Sequence, residues 1–305
     1  MPAPAREKIW LGKRNNTDKS IMTDLGYFFV PLPKLYGHLC PPKSKTMATI
    51  LYPSPVFGPV RSRRLGLSLG INLLPADGKA CTFDCIYCEC GFNGERRPSK
   101  PRPSREEVRA ALEDKLIGMQ AAGELPDVLT FAGNGEPTSH HDFAAIIDDT
   151  IRLRDRYCPH AGISVLSNAT FAARPEVRDA LLRVDNNIQK LDTVDAAYIA
   201  RVNRPAASYD VERIVRDLCA FEGHVIVQTI FMKGKDTEGH DVDNTSDAYV
   251  LPWIEALRRI RPRQVMIYTI DRETPARGLL KATHAELDRI VAMVEAEGIP
   301  ATASY

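Results

Sequence analysis

Short β-rich runs alternate with amphipathic helical patterns from about residue 65 to the end of this chain. Such alternation predicts parallel β/α units, in which chemistry lies at the carboxyl ends of the strands. The predicted strands are Leu67–Leu73, Val128–Ala132, Ile163–Leu166, Ile188–Leu191, Val225–Met232 and Val265–Ile270. Periodicity leaves two α/β architectures open, a doubly wound open sheet and a partly closed barrel.

Helix boundaries are marked most clearly by two capping boxes, Ser104-Arg-Glu-Glu107 and Thr283-His-Ala-Glu286. In a capping box, side chains bind the free backbone amides at the start of a helix. Apolar residues then recur on one face, and Gly298 can end the last helix. The periodic sets are Val108/Leu112/Leu116/Met119, Phe143/Ile147/Ile151, Val211/Val215/Leu218, Val250/Ile254/Leu257 and Leu287/Ile290/Val294.

Composition describes an ordinary globular protein. Of 305 residues, 44% are hydrophobic and 26% charged, and the net charge of +1 gives no global field that favours nucleic acid or a membrane surface. No apolar run approaches the ~18 residues of a membrane span, so we expect no membrane partner. Seven cysteines, four of them within Cys81–Cys90, form no disulfide framework and favour a reduced, cytoplasmic setting.

Residues 1–46 differ from the rest of the chain in having scattered prolines and no sustained period. Met47 opens a segment that resembles a natural beginning. We therefore expect 1–46 to be a poorly ordered extension, which a misassigned start would explain, and 47–305 to be the core domain with a C-terminal helix. Mass analysis of the native N-terminus tests this, and a chain beginning at Pro2 would contradict the misassignment.

Three cysteines crowd the loop Cys81-Thr-Phe-Asp-Cys85-Ile-Tyr-Cys88, some eight residues after the first predicted strand. Tetrahedral zinc and complete [4Fe-4S] cages normally take four protein ligands. Three thiolates on a short loop can instead hold three irons and leave the fourth open to a small molecule. The alternative is a structural zinc site. Such sites usually combine two separated pairs of ligands, and the sequence has no second, distant pair to complete one with this loop. Cys90 is interpreted as a bystander, because a C-x-C pair strains to reach two corners of one cube.

The cysteine loop, with Tyr87 just before the last cysteine, resembles the signature of the radical S-adenosylmethionine (SAM) superfamily. The resemblance implies a partial (β/α)6 TIM-type barrel whose [4Fe-4S] cluster is held by Cys81, Cys85 and Cys88. It also implies SAM at the open iron, and a low-potential electron donor such as flavodoxin or ferredoxin. Reductive cleavage of SAM would give a 5′-deoxyadenosyl radical that abstracts hydrogen from substrate.

Other strand ends supply candidate SAM contacts by the same resemblance. Tyr87 would lie beside the adenine. Gly133-Asn134-Gly135-Glu136 resembles the family's Gly-Gly-Glu motif, with Asn134 in place of the first glycine, so Gly135 and Glu136 would hold the amino group. Polar residues after the third and fourth predicted strands would meet the ribose and the carboxylate of SAM. They are Ser167, Asn168, Lys190 and Asp192.

Three further runs resemble the branch of the superfamily related to wyosine-type tRNA-modifying enzymes. They are Phe57–Gly66, Gly135–Thr138 and Ile267–Arg272. The resemblance makes a tRNA base or another nucleotide-containing molecule a candidate substrate, although the sequence assigns neither the substrate nor a catalytic residue. A basic stretch from Arg96 to Arg105 is interpreted as solvated surface, and would favour a phosphate-bearing substrate only if it lay at the cavity mouth.

Two hypotheses of different class remain. The first is a radical SAM enzyme of unknown substrate. The second is a non-catalytic binding protein with a structural metal site. Release of 5′-deoxyadenosine from SAM discriminates between them.

Overall fold

The computed structural model describes residues 49–62 and 66–305 of the chain. The predicted extension 1–46, with its proposed misassigned start, lies outside the described residues. Within the described ranges no helix is both long and apolar enough to cross a membrane.

Strands and helices alternate as the sequence predicts. The strands are β1 (Val56–Ser62), β2 (Gly66–Ile71), β3 (Val128–Phe131), β4 (Gly162–Ser167), β5 (Asn186–Lys190), β6 (Ile226–Ile230), β7 (Met232–Gly234), β8 (Gln264–Tyr268), β9 (Leu279–Lys281) and β10 (Ala301–Ser304). The helices are α1 (Arg105–Ala122), α2 (Phe143–Tyr157), α3 (Pro175–Leu181), α4 (Ala196–Val202), α5 (Val211–Cys219), α6 (Asp247–Ile260) and α7 (His284–Glu295), with a 3-10 turn at Pro137–Ser139.

Eight strands form one sheet in the order β1-β2-β3-β4-β5-β6-β8-β10, and β7 pairs separately with β9. The six strands that open β/α units, together with β10, pair in parallel, whereas β1 pairs antiparallel to β2. In the described part of the chain no pairing joins β1 to β10, so the barrel is partial. The predicted partial (β/α)6 barrel is confirmed.

Both predicted capping boxes form. Glu107 N donates to Ser104 Oγ at 3.2 Å while the Glu107 carboxylate accepts from Ser104 N at 2.6 Å, and helix α1 then buries its predicted apolar face. Thr283 and Glu286 repeat this arrangement at the start of α7. A good N-cap contributes about 1 kcal/mol to helix stability, so these residues fix where the two helices begin.

Apolar side chains fill both sides of the sheet. The large core lies between the strands and the helices, and a smaller cluster of Ile188, Ile226 and Met266 lies on the opposite, inner face. Residues two apart in a strand share a face, so Lys190 of β5 follows Ile188 on this inner face. Lys190 pairs in register with Gln228, which pairs with Met266. The apolar cluster on the inner face therefore lies between Lys190 at the carboxyl ends of the strands and polar residues such as Asn186 and Ser164 nearer their amino ends.

The sequence patterns do not predict β1, β9, α3 or α4, and two further details differ from the predicted elements. The predicted strand Val225–Met232 ends earlier, at Ile230, because Met232 leaves the sheet and pairs with Lys281 in the small β7-β9 ribbon. The chain also continues beyond helix α7 into β10, which pairs in parallel with β8. Its sequence, Ala-Thr-Ala-Ser, carries little strand propensity, so pairing with β8 decides its conformation.

Candidate iron–sulfur and SAM site

The cysteine loop leaves the carboxyl end of β2 and folds back on itself. Cys88 N donates to Cys85 O at 3.1 Å, which closes one turn. The Asn93 side chain closes the rest: its Oδ1 accepts from Cys81 N at 3.3 Å, and its Nδ2 donates to the carbonyls of Cys81 and Phe83 at 3.2 and 3.1 Å. These bonds give the loop a fixed backbone before any ligand binds.

A second loop, after helix α4, holds the cysteine loop along its length. Ile86 N donates to Val202 O at 2.9 Å, and Asp84 N donates to Asn203 O at 3.0 Å. Ala206 N donates back to Thr82 O at 2.8 Å. Backbone amides of each loop thus bind backbone carbonyls of the other. Residues 202–206 are therefore part of the site, although no sequence motif marks them.

Side-chain and backbone amides point at the cysteine sulfurs. Asn168 Nδ2 lies 3.7 Å from Cys81 Sγ, and Asn203 Nδ2 lies 3.7 Å from Cys85 Sγ. Phe83 N also donates to Cys81 Sγ at 3.5 Å. Amide hydrogen bonds to sulfur stabilise the thiolate form that binds metal and contribute to the reduction potential of a cluster.

The three thiols differ in their acidity in the metal-free protein. Burial raises the pKa of the Cys85 thiol to about 11, and the nearby Lys190 ammonium opposes that rise. Burial likewise raises the pKa of Cys81. A hydrogen bond with Cys90 lowers the pKa of Cys88 to about 6, assisted by Lys79. Metal binding requires thiolates, so loading this site would release protons from Cys81 and Cys85.

Cys90 lies apart from the other three in its bonding. Its side chain is buried, donates to Gly133 O at 3.4 Å and is hydrogen-bonded to Cys88, an arrangement that raises the pKa of Cys90 and keeps it a thiol. That Cys90 is a bystander remains a prediction.

The sulfurs of Cys81, Cys85 and Cys88 do not form a compact group of three ligand atoms. Among the described residues, three histidine, cysteine or acidic ligand atoms all lie within 4.8 Å of one another only at His140, His141 and Asp142. Tetrahedral zinc, with Zn–S bonds of ~2.3 Å, would bring its sulfurs to roughly 3.8 Å from one another. The choice of a cluster over zinc stays a prediction from the number and spacing of the cysteines.

The histidine group is not available as a metal site. His140 Nε2 is 2.9 Å from Pro103 O, and His140 Nδ1 accepts from Asp142 N at 3.1 Å. Both ring nitrogens are therefore used in joining the loop before α1 to the start of α2.

Gly135, predicted to contact SAM, lies against the backbone of the cysteine loop. Ala80 bridges to Gly135 in parallel, and a Cβ at position 135 would stand 2.0 Å from Ala80 O. Its φ of +145° also favours glycine. Asn134 turns its fully buried side chain the other way, to Tyr52 and Pro75. The glycine thus permits close approach of two backbones, and the asparagine ties the end of β3 to the preceding loops.

Glu136 is fully engaged inside the protein. Its Oε1 accepts from Thr138 N at 3.0 Å and Thr138 Oγ1 at 2.6 Å, and its Oε2 accepts from Asn168 N at 2.7 Å. Burial raises the pKa of this carboxyl group, and these hydrogen bonds oppose the rise. Its clearest role in the structure is to join the ends of β3 and β4 beside the cysteine loop.

The end of β4 places Ser167 and Asn168 next to that carboxylate. Ser167 Oγ accepts from Ala169 N at 3.1 Å. Asn168 Nδ2 donates to Thr82 Oγ1 at 2.8 Å, in addition to its approach to Cys81. The structure thus brings Asn168 to the cysteine loop itself, whereas Ser167 shapes the turn that presents it.

A polar network covers the inner face at the ends of β5 and β8. Asp192 Oδ2 accepts hydrogen bonds from the Tyr87 hydroxyl and from Asn203 Nδ2. Lys190 Nζ lies 3.5 Å from Asp192 Oδ1 and donates to the Tyr268 hydroxyl. Its ammonium also stands 4.9 Å from the centre of the Tyr87 ring, which gives a cation–π contact. The predicted residues Tyr87, Lys190 and Asp192 therefore form one connected group.

Sequence reasoning missed three residues that bind this loop: Lys79, Asn93 and Asn203. Lys79 lies two residues before Cys81, and Asn93 three after Cys90, so nearness in the chain was the available signal. Asn203 is 115 residues beyond Cys88, a separation given by their numbers, and only the folded chain brings it here.

Known proteins with a related fold are radical SAM enzymes. A radical SAM methyltransferase from Sphaerobacter thermophilus superposes with a TM-score of 0.58 at 17% identity, covering 78% of this chain and 66% of that one. SuiB of Streptococcus suis bound to S-adenosylmethionine gives a TM-score of 0.54 at 12% identity, covering 77% and 50%. The chain thus has the radical SAM fold. No model of a known protein family matches the sequence.

Sequence comparison adds a family. A UPF0026 protein of Synechocystis is 30% identical over 228 residues, which cover 72% of this chain and 77% of the relative. The chain belongs to the UPF0026 family. Other relatives match over a smaller part of their length. The chain spans 53% of a UPF0026 protein of Methanocaldococcus jannaschii, at 32% identity over 58% of this chain, and 30% of a Brachyspira hyodysenteriae protein named GTPase Obg, at 28% identity over 72% of this chain.

Proposed function

We propose that this protein is a radical SAM enzyme in which Cys81, Cys85 and Cys88 hold a [4Fe-4S] cluster. The observation that carries the proposal is the placement of three cysteines on a fixed loop at the carboxyl end of a parallel sheet. Two asparagine amides directed at the sulfurs support it. When bound, the cluster and SAM would supply the electron and the carbon–sulfur bond that this electron breaks.

The residues of the chain would bind and orient. We propose that Asp192 and Lys190, an adjacent carboxylate and ammonium, meet the polar groups of SAM, with the Tyr87 ring beside its adenine. Their mutual contacts hold them in place before SAM arrives, which reduces the entropy lost on binding. The apolar inner cluster below them limits the access of water to the site.

The remaining predicted contacts have different roles in this proposal. Gly135, Glu136 and Ser167 would act by fixing the backbone that faces the SAM amino group, since their contacts join neighbouring strand ends. Asn168 would both fix the backbone of the cysteine loop, by its hydrogen bond to Thr82, and approach the candidate cluster ligand Cys81 directly.

Anaerobic reconstitution tests the function. The wild-type protein should bind about four irons and four sulfides per chain. It should then release 5′-deoxyadenosine when given SAM and a strong reductant. Metal binding without nucleoside release would contradict the proposal and favour a structural metal protein.

We propose a nucleotide-containing substrate, such as a tRNA base, on the strength of the three sequence runs that resemble the wyosine branch. The basic stretch from Arg96 to Arg105 supports a phosphate-bearing substrate less than its charge suggests, because three of its arginines bind partners within the protein. Arg96 binds Thr49, Arg102 binds Ser139 O and Arg105 binds Asp149, whereas Arg97 and Lys100 are exposed. Deuterium transfer into 5′-deoxyadenosine from labelled RNA, compared with labelled small metabolites, identifies the class. Transfer from metabolites alone would contradict it.

We also propose a cytoplasmic location and a low-potential donor such as flavodoxin or ferredoxin. Free cysteines and an oxygen-sensitive cluster suit a reduced compartment. Reduction of the reconstituted protein by flavodoxin, followed spectroscopically, tests the donor.

A further inference from the structure

Lys79 is a buried lysine beneath the cysteine loop. Lysine is almost never fully buried without a partner, yet its side chain is only 1% exposed. It lies two residues before Cys81, and its backbone N donates to Arg96 O at 2.7 Å. The position is therefore built into the loop and is not a chance placement of a surface side chain.

The terminal nitrogen of Lys79 donates to two oxygen acceptors. They are Gly91 O at 2.7 Å and Asp84 Oδ1 at 3.2 Å. The Asp84 contact is an ion pair, and Gly91 N donates in turn to Cys88 O at 2.9 Å. Lys79 is therefore a buried cation that is paired with a carboxylate between Cys81 and Cys85 and joined to the backbone three residues beyond Cys88.

This charge lies in the segment that carries all three candidate cluster ligands. Lys79 is two residues from Cys81, and its partner Asp84 directly precedes Cys85. Its partner Asp84 offsets part of the field, but that side chain is 29% exposed and the same oxygen also accepts from Asn93 N at 2.8 Å.

Other charged groups around the ligands lie on different elements. Glu136 raises the pKa of Cys81. Lys190 and Asp192 act in opposite directions on Cys85. Glu89 raises the pKa of Cys90 and is paired with Arg272 at 2.8 Å. Lys79 donates to the backbone at Gly91 O, three residues beyond Cys88.

We propose that Lys79 is a positioning residue that raises the reduction potential of the cluster bound by Cys81, Cys85 and Cys88. Reduction adds one negative charge to the cluster, and a buried ammonium stabilises that charge more than it stabilises the oxidised form. Net charge and hydrogen bonds to sulfur are among the factors that set the potentials of iron–sulfur clusters. The inference rests on the proposed function, because it requires the cluster.

The test is the midpoint potential of the reconstituted cluster without SAM, measured by anaerobic titration followed by electron paramagnetic resonance. In Lys79→Met, the ratio of reduced to oxidised cluster at a given applied potential should fall at least tenfold, which is a shift of ~59 mV to more negative values. Lys79→Arg, which keeps the charge, should restore part of the shift. Lys115→Met, which removes a charge from the outer helix α1, should leave the potential unchanged.

Asp84→Asn supplies an independent test should Lys79→Met fail to load iron. It leaves the ammonium and removes its counter-charge, so the potential should rise. A fully loaded Lys79→Met with the wild-type potential would overturn the inference, as would an Asp84→Asn potential at or below the wild-type value. Wild-type protein that binds no cluster would overturn the proposed function as well, whereas wild-type protein with a normal cluster and unshifted variants overturns only the role of Lys79.

Discussion

The side-chain amide of Asn203 donates to Asp192 Oδ2 at 2.7 Å and to the Tyr87 hydroxyl at 2.9 Å, and it lies 3.7 Å from Cys85 Sγ. One amide thus connects a candidate cluster ligand to two of the three side chains proposed to meet SAM. Geometry at the cluster and geometry at the SAM site are linked through this group.

Asn203→Ala should weaken SAM binding and lower stability. Loss of the donor leaves the buried Asp192 carboxylate short of a hydrogen bond, which costs about 1–3 kcal/mol. We expect SAM to bind about tenfold more weakly, a loss of ~1.4 kcal/mol, measured by calorimetry on the reconstituted protein. Asn186→Ala is the matched control: its amide binds Ser164 Oγ at the opposite end of β5, so stability should fall while SAM affinity stays the same. Equal SAM affinity in the two variants would contradict the proposed site.

Cys85→Ala should lose the cluster. With two thiolates left on the loop, we expect iron after reconstitution to fall from about four atoms per chain to near zero, as measured by iron and sulfide analysis. Cys158→Ala and Cys219→Ala should retain full iron, because Cys158 is buried at the end of α2 and Cys219 donates to Arg259 O. Cys90→Ala should also retain it. Equal loss of iron in all the variants would show that the assignment of ligands is wrong.

Gly135→Ala should destabilise the protein and displace the cysteine loop. The new Cβ would stand 2.0 Å from Ala80 O at a φ of +145°, and overpacking with backbone strain costs about 2–6 kcal/mol in sum. Gly118→Ala, at an open position on helix α1, should instead stabilise by about 1 kcal/mol. Urea denaturation of the metal-free variants compares the two, and a Gly135→Ala midpoint at the wild-type value would refute the close approach.

Stability should fall in acid partly through Glu286. Burial alone would raise the pKa of this carboxyl group, but hydrogen bonds from Lys233 and Thr283 and the Lys233 charge lower it to about 2. A depressed carboxyl pKa stabilises the folded state above its unfolded pKa of ~4.3, and this contribution disappears as the pH falls toward 2.

Glu286→Gln should therefore be less stable than wild type by about 1 kcal/mol near neutral pH, and the difference should vanish between about pH 5 and pH 2. Thermal unfolding across this range measures it. Glu295→Gln, an exposed residue on the same helix, is the control and should show no such convergence. A constant gap for Glu286→Gln at every pH would contradict the sign of the shift.

Most of the β/α framework could be predicted because it depends on local pattern. Apolar residues such as Val108 and Leu112 recur at helical spacing, and their burial on α1 is as predicted. The capping boxes at Ser104 and Thr283 have chemistry that is readable from four residues. Strand β10 could not be found in this way, because Ala301–Ser304 becomes a strand by pairing with β8.

The residues of the candidate site likewise differ in whether local sequence reveals their roles. Cysteines 81, 85 and 88 are neighbours in sequence, so their spacing alone indicated the chemistry. The function of Asn203 depends on which loops meet after folding, and this residue has no local signature. Glu136 has one, the run Gly133–Glu136, which predicted a SAM contact. In the structure its carboxylate joins Thr138 and Asn168, a role that the motif does not show, and the SAM contact remains a prediction.

The gap between β1 and β10 has a mechanical consequence. In a closed ring of strands, the radius is set by strand number and stagger, and it cannot change without breaking backbone hydrogen bonds. This sheet ends in two separate edges over the described residues, so it can flatten or curl by small changes of twist spread across its eight strands. Side chains nevertheless connect the segment after β8 with the segment before β1, because Arg272 donates to the Tyr52 hydroxyl at 3.0 Å and to Glu89 at 2.8 Å. A change in the width of the mouth would therefore break these contacts and not the strand ladders.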